Sequence, residues 1–226
     1  MNAINLVEQD IFQNEKDIIN HNRKSKVIKR ILDVIISLVG LILTLPIMLV
    51  ACIAIVIDSN GSPVYQQERV GQYGRVFMVY KLRTMFKNSS EGNLSAPQKG
   101  DRRVTKVGSF LRKTSIDELP QLINVLKGDM SILGPRAVPE KELRLRIEAM
   151  MKNDASKKTV YERAMEIRSL VRPGISGMAQ ANGRSELSVE QATAYDIYYV
   201  LNYSLALDMR IIIQTAQTVI LGKGVN

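Results

Sequence analysis

Tryptophan is absent from this 226-residue chain, histidine and cysteine occur once each, and aromatic residues make up 5% of it. Cys52 lies inside an apolar stretch, so no disulfide framework exists, and a polar domain free of cysteine suits a reducing cytoplasm. His21 sits in a polar leader, which removes histidine-based triads and histidine-rich zinc sites. Nucleophilic and acid-base chemistry is left to carboxylates, lysines and hydroxyls.

Charge is also absent from Val34 to Ile57, a run of 24 residues with Pro46 at its middle. A straight helix of that length measures ~36 Å against a hydrocarbon core of ~30 Å. Proline cannot donate its backbone bond and crowds the preceding turn, so the spacing predicts a helix broken at Pro46 into halves too short to span alone. Arg23, Lys24, Lys26, Lys29 and Arg30 precede the run, and Arg69, Arg75, Lys81 and Arg83 follow it. Basic flanks stay on the cytoplasmic side, so a helix that enters, bends and leaves by the same face exports neither group. A signal-anchor helix tolerating one proline is the competing topology. A cleaved secretory signal fits poorly, because the run is too long and begins too deep in the chain.

These limits divide the chain into a basic polar leader over 1–30, a re-entrant membrane anchor over 31–57 and a catalytic domain over 58–226. The whole chain has 31 Lys plus Arg against 22 Asp plus Glu, and from Asp58 onward the excess is 25 against 17. Such a surface suits anionic lipid head groups and nucleotides. Nucleic acid is not an expected partner, since no groove-binding motif is present and an anchor would hold the protein away from DNA. The fold class expected is α+β and mainly helical. Segments 63–67 and 75–81, rich in Val, Tyr and Phe, predict a β-hairpin about Gly71 to Gly74. A polar loop is expected over 87–100, and two helices within 107–127 divided at Thr114-Ser115. A charged helical stretch over 140–168 is interrupted near Asn153-Asp154, a turn-rich run follows over 172–184, and 205–221, where Leu, Met and Ile alternate with small polar residues, either lies in the lipid interface or packs on the core, the second being preferred.

The sharpest carboxylate cluster is Asp117-Glu118. Ser115, three residues before Glu118, has the form of a capping box, which would place both acids in the first turn of a helix. Acids there stabilise a helix with no catalytic role. The same placement serves catalysis, because a carboxylate accepts phosphoryl groups and is a hard oxygen ligand for Mg²⁺. Pro120 strains a regular helix at this point and marks a specialised turn. Arg112, Arg136, Arg172 and Arg184 occur nearby or beside Pro and Gly, and their planar forks in rigid turns favour a diphosphate site.

With these residues in view the chain closely resembles the bacterial sugar transferases, the monotopic phosphoglycosyl transferases that prime exopolysaccharide, capsule or glycan assembly on a polyprenol carrier. The resemblance runs from Lys29-Arg30-Ile31-Leu32-Asp33 to about Leu221. It includes Gln67-Glu68-Arg69-Val70-Gly71, Tyr80-Lys81-Leu82-Arg83-Thr84-Met85, the dyad stretch through Ser131, Gly134-Pro135-Arg136, Arg172-Pro173-Gly174 and Asp196-Ile197-Tyr198-Tyr199-Val200. It implies transfer of a sugar 1-phosphate from a UDP-sugar to polyprenyl (undecaprenyl) phosphate with Mg²⁺, through a covalent adduct on Asp117 and with release of UMP. It also implies a metal-binding role for Asp117 and a catalytic role for Glu118. Arg112, Arg136 and Arg184 are expected at phosphate or carrier, with Lys81, Arg172 and Asp196 as further substrate-binding candidates. The expected location is the cytoplasmic face of the bacterial inner membrane.

Two departures stand out. Leu45 precedes Pro46 where the family often has Ser, and Met178 stands where many members have Trp. The rival from another class is a non-catalytic, membrane-anchored scaffold that binds anionic lipid. Neither the sugar nor the oligomeric state is legible; galactose or glucose is the mild preference.

Overall fold

The apolar run and the basic cluster ahead of it form one helix, α1 (Arg23–Asp58), in the computed structural model, which describes residues 23–87, 101–183 and 186–220. The first 22 residues of the expected leader and nearly all of the expected 87–100 loop lie outside the described residues. By length and composition α1 is able to cross a membrane. The expected break at Pro46 does not interrupt it: helical structure continues through the proline. Proline costs the helix one backbone bond and crowds one turn, while the bonds on either side still hold. Thr44 Oγ donates to Gly40 O at 2.7 Å in the turn before it.

One stripe of α1 is covered. Lys29, Asp33 and Ser37 recur every four residues, and Met48, Ala51 and Ile55 follow at helical spacing, all buried. The opposite faces carry exposed Ile35, Ile42, Leu43, Val50, Ile53 and Ile57. The buried stripe meets the rest of the chain at both ends. Near the start, Lys29 Nζ lies 2.8 Å from Asp208 Oδ2, and Arg30 donates to Val125 O at 2.6 Å and Leu126 O at 3.0 Å. Asp33 Oδ1 accepts from Ser131 Oγ and the Ile132 N–H, each at 3.0 Å. Near the end, Asp58 accepts from the Val107 N–H at 3.1 Å, and Arg83 donates to Ser59 O and Asn60 O at 2.6 Å. Arg83 satisfies carbonyls that every helix C-terminus leaves open.

The expected hairpin forms from β1 (Val64–Val70) and β2 (Val76–Leu82), antiparallel with Tyr65 opposite Lys81, Gln67 opposite Val79 and Arg69 opposite Phe77. Cross-strand partners share a face, so these six side chains project together. Val79 on that face is buried with Val125 and Met130. The hairpin tip is pinned to the body: the Tyr73 N–H donates to Ser169 O at 2.8 Å and Gln72 Nε2 to Leu170 O at 2.9 Å. Along the strand, Asn124 works as a peptide mimic, its Oδ1 accepting from the Tyr80 N–H at 3.0 Å and its Nδ2 donating to Met78 O at 2.8 Å.

The two helices expected between 107 and 127 are α2 (Lys106–Thr114) and α3 (Gln121–Lys127). The charged stretch gives α4 (Glu140–Met151) and α5 (Lys158–Arg168), interrupted by a short 3₁₀ turn at Ala155–Lys157 as the Asn153-Asp154 signal predicts. Two strands of three residues, β3 (Ser131–Leu133) and β4 (Gly174–Ser176), pair in parallel, β4 inside the run 172–184 that reads from sequence as turn. Strands this short carry no periodicity. Glycine makes their crossing possible, since a Cβ on Gly174 would lie 2.1 Å from Gly134 N and one on Gly177 2.1 Å from Gly134 O.

After the short α6 (Met178–Ala181), α7 (Val189–Leu201) opens on a capping box in which the Gln191 N–H donates to Ser188 Oγ at 3.1 Å. The core gathers Met150, Tyr161, Ile167, Ile197 and Ile211, all fully enclosed, from α4, α5, α7 and α8 (Leu205–Ile220). α8 packs on the core through Ile211 while Met209, Ile212 and Ile213 stay exposed.

Candidate active site

Asp117 and Glu118 lie on a 3₁₀ turn, Ile116–Glu118, between α2 and α3. The expected capping box does not form. Ser115 adopts a left-handed conformation (φ 58°, ψ 17°) that ends α2, and its side chain caps nothing. One residue cannot both close a helix in that conformation and cap the next, and closure wins here. Pro120 then falls just before α3, where a missing N–H costs no helical bond, so a turn stands where a regular helix would be strained. The consequence is geometric: two adjacent carboxylates are presented on a tight corner.

The two acids have opposite surroundings. Glu118 Oε1 accepts from Lys81 Nζ and Arg136 Nη2, both at 2.8 Å. Burial alone would push its pKa up, but the charges of Arg136 and Lys81 and their hydrogen bonds outweigh it and hold Glu118 well below the usual carboxylate range. Asp117 is 9% exposed and accepts no hydrogen bond among the described residues. Burial, reinforced by the adjacent Glu118 charge, raises its pKa to about 6, against the pull of Lys81, Arg112 and Arg136. Lys81 is shifted down by burial, with Glu118 opposing, and Arg136 is shifted up by Glu118. A committed carboxylate thus stands beside an uncommitted, more basic one, the separation of environments by which adjacent acids take different roles.

Of the residues expected here, the structure brings Asp117, Glu118, Lys81 and Arg136 together, with Arg112 on the last turn of α2 near enough for its charge to act on Asp117. Arg172, half-buried ahead of β4, has no hydrogen bond to the dyad; its charge acts on Tyr203. Arg184 lies outside the described residues. Asp196 is 2% exposed on α7 and accepts from Arg168 Nε at 2.7 Å, and Arg168 also donates to the Arg136 carbonyl. This enclosed pair supports the Arg136 backbone. Arg168 escapes a sequence reading because nothing in spacing alone announces a partner 28 residues away. Gln67 and Arg69 also stand on the Lys81 face of the hairpin, a placement that strand alternation and register would have revealed.

No group of three or more His, Cys, Asp or Glu side chains is gathered for a metal among the described residues. The donor set still fits Mg²⁺, which keeps several waters and binds through one or two carboxylates plus substrate phosphates. Asp117, buried with no hydrogen-bond donor on its oxygens, is the carboxylate such an ion would use.

A family model described as bacterial sugar transferase matches residues 24–222. An exopolysaccharide production protein of Sinorhizobium fredii is 36% identical over 211 residues, covering 87% of each chain. A UDP-N-acetylgalactosamine-undecaprenyl-phosphate N-acetylgalactosaminephosphotransferase of Aeromonas hydrophila is 38% identical over 203 residues, and a UDP-glucose:undecaprenyl-phosphate glucose-1-phosphate transferase of Klebsiella pneumoniae 38% over 199. These two are longer proteins: the matches cover 87% and 86% of this chain but 44% and 40% of theirs. The likeness makes the chain an enzyme and removes the scaffold reading: it belongs to the bacterial sugar transferase family.

Proposed function

We propose that the enzyme transfers a sugar 1-phosphate from a UDP-sugar to polyprenyl (undecaprenyl) phosphate, releasing UMP, as the first membrane step of exopolysaccharide, capsule or glycan assembly. The observation that carries this reading is the unpaired, basic Asp117 beside a Glu118 that fixes two cations. In the first step an Asp117 oxygen attacks the sugar-linked phosphorus of the donor. The Asp–O–P bond forms, the bond to the bridging oxygen breaks, and UMP leaves with that electron pair. In the second step a phosphate oxygen of the lipid attacks the same phosphorus, and Asp117 leaves as carboxylate. Lys81, Arg136 and Arg112 stabilise charge on the phosphate oxygens, and Glu118 holds the first two in place. Bound Mg²⁺ supplies further neutralisation of those oxygens. The relatives' names carry N-acetylgalactosamine, galactose and glucose, so no single sugar is assigned.

The anchor is read as re-entrant, entering and leaving by the cytoplasmic face with its bend near Pro46. Both ends of α1 bind the same polar body while its apolar faces stay exposed, which supports a one-leaflet placement beside the lipid's phosphate. The test of the chemistry is trapping with donor alone. Mass spectrometry is expected to find one sugar phosphate, of the mass of the donor supplied less UMP, on the peptide containing Asp117, and Asp117→Asn to abolish both adduct and turnover. Turnover that releases UDP, or that persists in the Asn variant, overturns the assignment.

A further inference from the structure

The hairpin face that supplies Lys81 carries a second cation that the mechanism above leaves unused. Arg69 lies opposite Phe77, two positions along β1 from Gln67, and Tyr65 of the same face lies opposite Lys81. Among the described residues the Arg69 guanidinium donates only to Gln67 Oε1, at 2.6 Å. The Val70 N–H donates to Val138 O at 3.0 Å, which ties this end of β1 to the segment carrying Arg136. Arg136 stands close enough for its charge to reach Arg69: burial together with that charge pulls the Arg69 pKa down, against the opposing pull of Glu142, Tyr65 and Glu118. The local balance is uneven. Glu118 is shared by Lys81 and Arg136, Glu142 carries its own ion pair with Arg146, and among the described residues no carboxylate forms an ion pair with Arg69. Glu118 is committed to Lys81 and Arg136, whereas the Arg69 fork is held only by a neutral glutamine, an arrangement preoriented for an anion.

We propose that Arg69, aimed by Gln67, is a substrate-binding residue that takes a phosphate group beside the dyad, and that this phosphate is the one leaving on the nucleotide. This rests on the proposed sugar-phosphate transfer. The choice between nucleotide and lipid phosphate follows from position. Arg69 lies ~13 Å along the strand from the Tyr65–Lys81 pair, at about 3.3 Å per residue, toward the tip that docks on the end of α5. The open end of the hairpin instead packs on the anchor, through Leu82 against Ala51 and Ile55. A water-soluble nucleotide fits the tip side, and the lipid phosphate fits the anchor side.

The experiment uses the full chain in lipid nanodiscs. UMP affinity is measured by calorimetry, and the KM for UDP-sugar and for polyprenyl phosphate is measured separately, in wild type, Arg69→Gln, Arg69→Lys and Gln67→Ala. Loss of a charged hydrogen bond is expected to weaken UMP binding and raise the donor KM about 10- to 100-fold in Arg69→Gln. Arg69→Lys is expected to recover only part of this, because the fork is lost, and Gln67→Ala to fall between. The polyprenyl phosphate KM stays unchanged. Unaltered UMP affinity in Arg69→Gln, or a rise confined to the lipid KM, overturns the assignment. Should Arg69→Gln fail to fold, the charge-preserving Arg69→Lys and Gln67→Ala decide by the same readouts. A wild type that turns over without releasing UMP would instead sink the transfer reading, so the two failures are distinguishable.

Discussion

At the residue scale the central fact is the division between two neighbouring carboxyls. Glu118 is neutralised by two cations, while Asp117 is buried without a donor and its proton is held to about 6. The linkage has a definite sign. A folded pKa above the ordinary carboxyl value of 3.8 means that the native state binds a proton more tightly than the unfolded chain. Stability therefore falls as pH rises from about 4 to about 6, and the cost is fully present above that window. Replacing Asp117 by Asn should raise the unfolding free energy by about 1–3 kcal/mol at pH 7.5 and by almost nothing near pH 4, read from denaturant melts at the two pH values. The same residue sets the activity profile: kcat/KM should drop as pH falls through about 6, because the attacking carboxylate becomes a carboxylic acid. Equal destabilisation at both pH values would show that Asp117 packs rather than strains the site.

At the element scale, the parts legible in the sequence are those with a local cause. The hairpin has period-two residues and a glycine-bounded turn, α4 and α5 part where Asn153-Asp154 breaks the pattern, and the dyad stands out once histidine and cysteine are gone. The parts that stayed hidden depend on contacts distant in sequence. Ser115 has the composition of a cap, but the end of α2 claims it, and β3 and β4 are too short to show a period. The pairing of Arg168 with Asp196 is equally invisible, yet it carries weight: both side chains are below 7% exposed, and Arg168 also holds the Arg136 carbonyl. Asp196→Ala leaves a buried guanidinium unpaired and should cost about 3–5 kcal/mol, measured by urea unfolding. Asp196→Asn keeps the shape and can still accept from Arg168. It should retain the fold better, with a donor KM raised more than that for lipid if Arg136 is the group being positioned.

At the scale of the whole molecule, the question is whether α1 crosses the bilayer, and its polar contacts argue against crossing. The body holds the helix start through Lys29–Asp208, Arg30 and Asp33, and the helix end through Asp58 and Arg83. A spanning helix has its two ends on opposite sides, so one of these sets would have to be released. Releasing the first strands Asp208, which is 6% exposed and also accepts from Tyr199 at 2.8 Å, without its buried cation, at a cost of about 3–5 kcal/mol. Releasing the second uncovers Ala51, Ile55, Leu82 and Leu111, and frees the carbonyls that Arg83 satisfies. Cysteines introduced at Ser25 and Ser62, in a chain with Cys52→Ser, report the two ends. An impermeant thiol reagent is expected to label both from the cytoplasmic face of sealed vesicles and neither from the other side. Labelling of the two positions from opposite faces would mean that one docked set is dissolved in the membrane. Lys29→Met offers the complementary test: with the same docking it should lower thermal stability by several degrees, whereas a helix already detached at its start would leave the melting temperature unmoved.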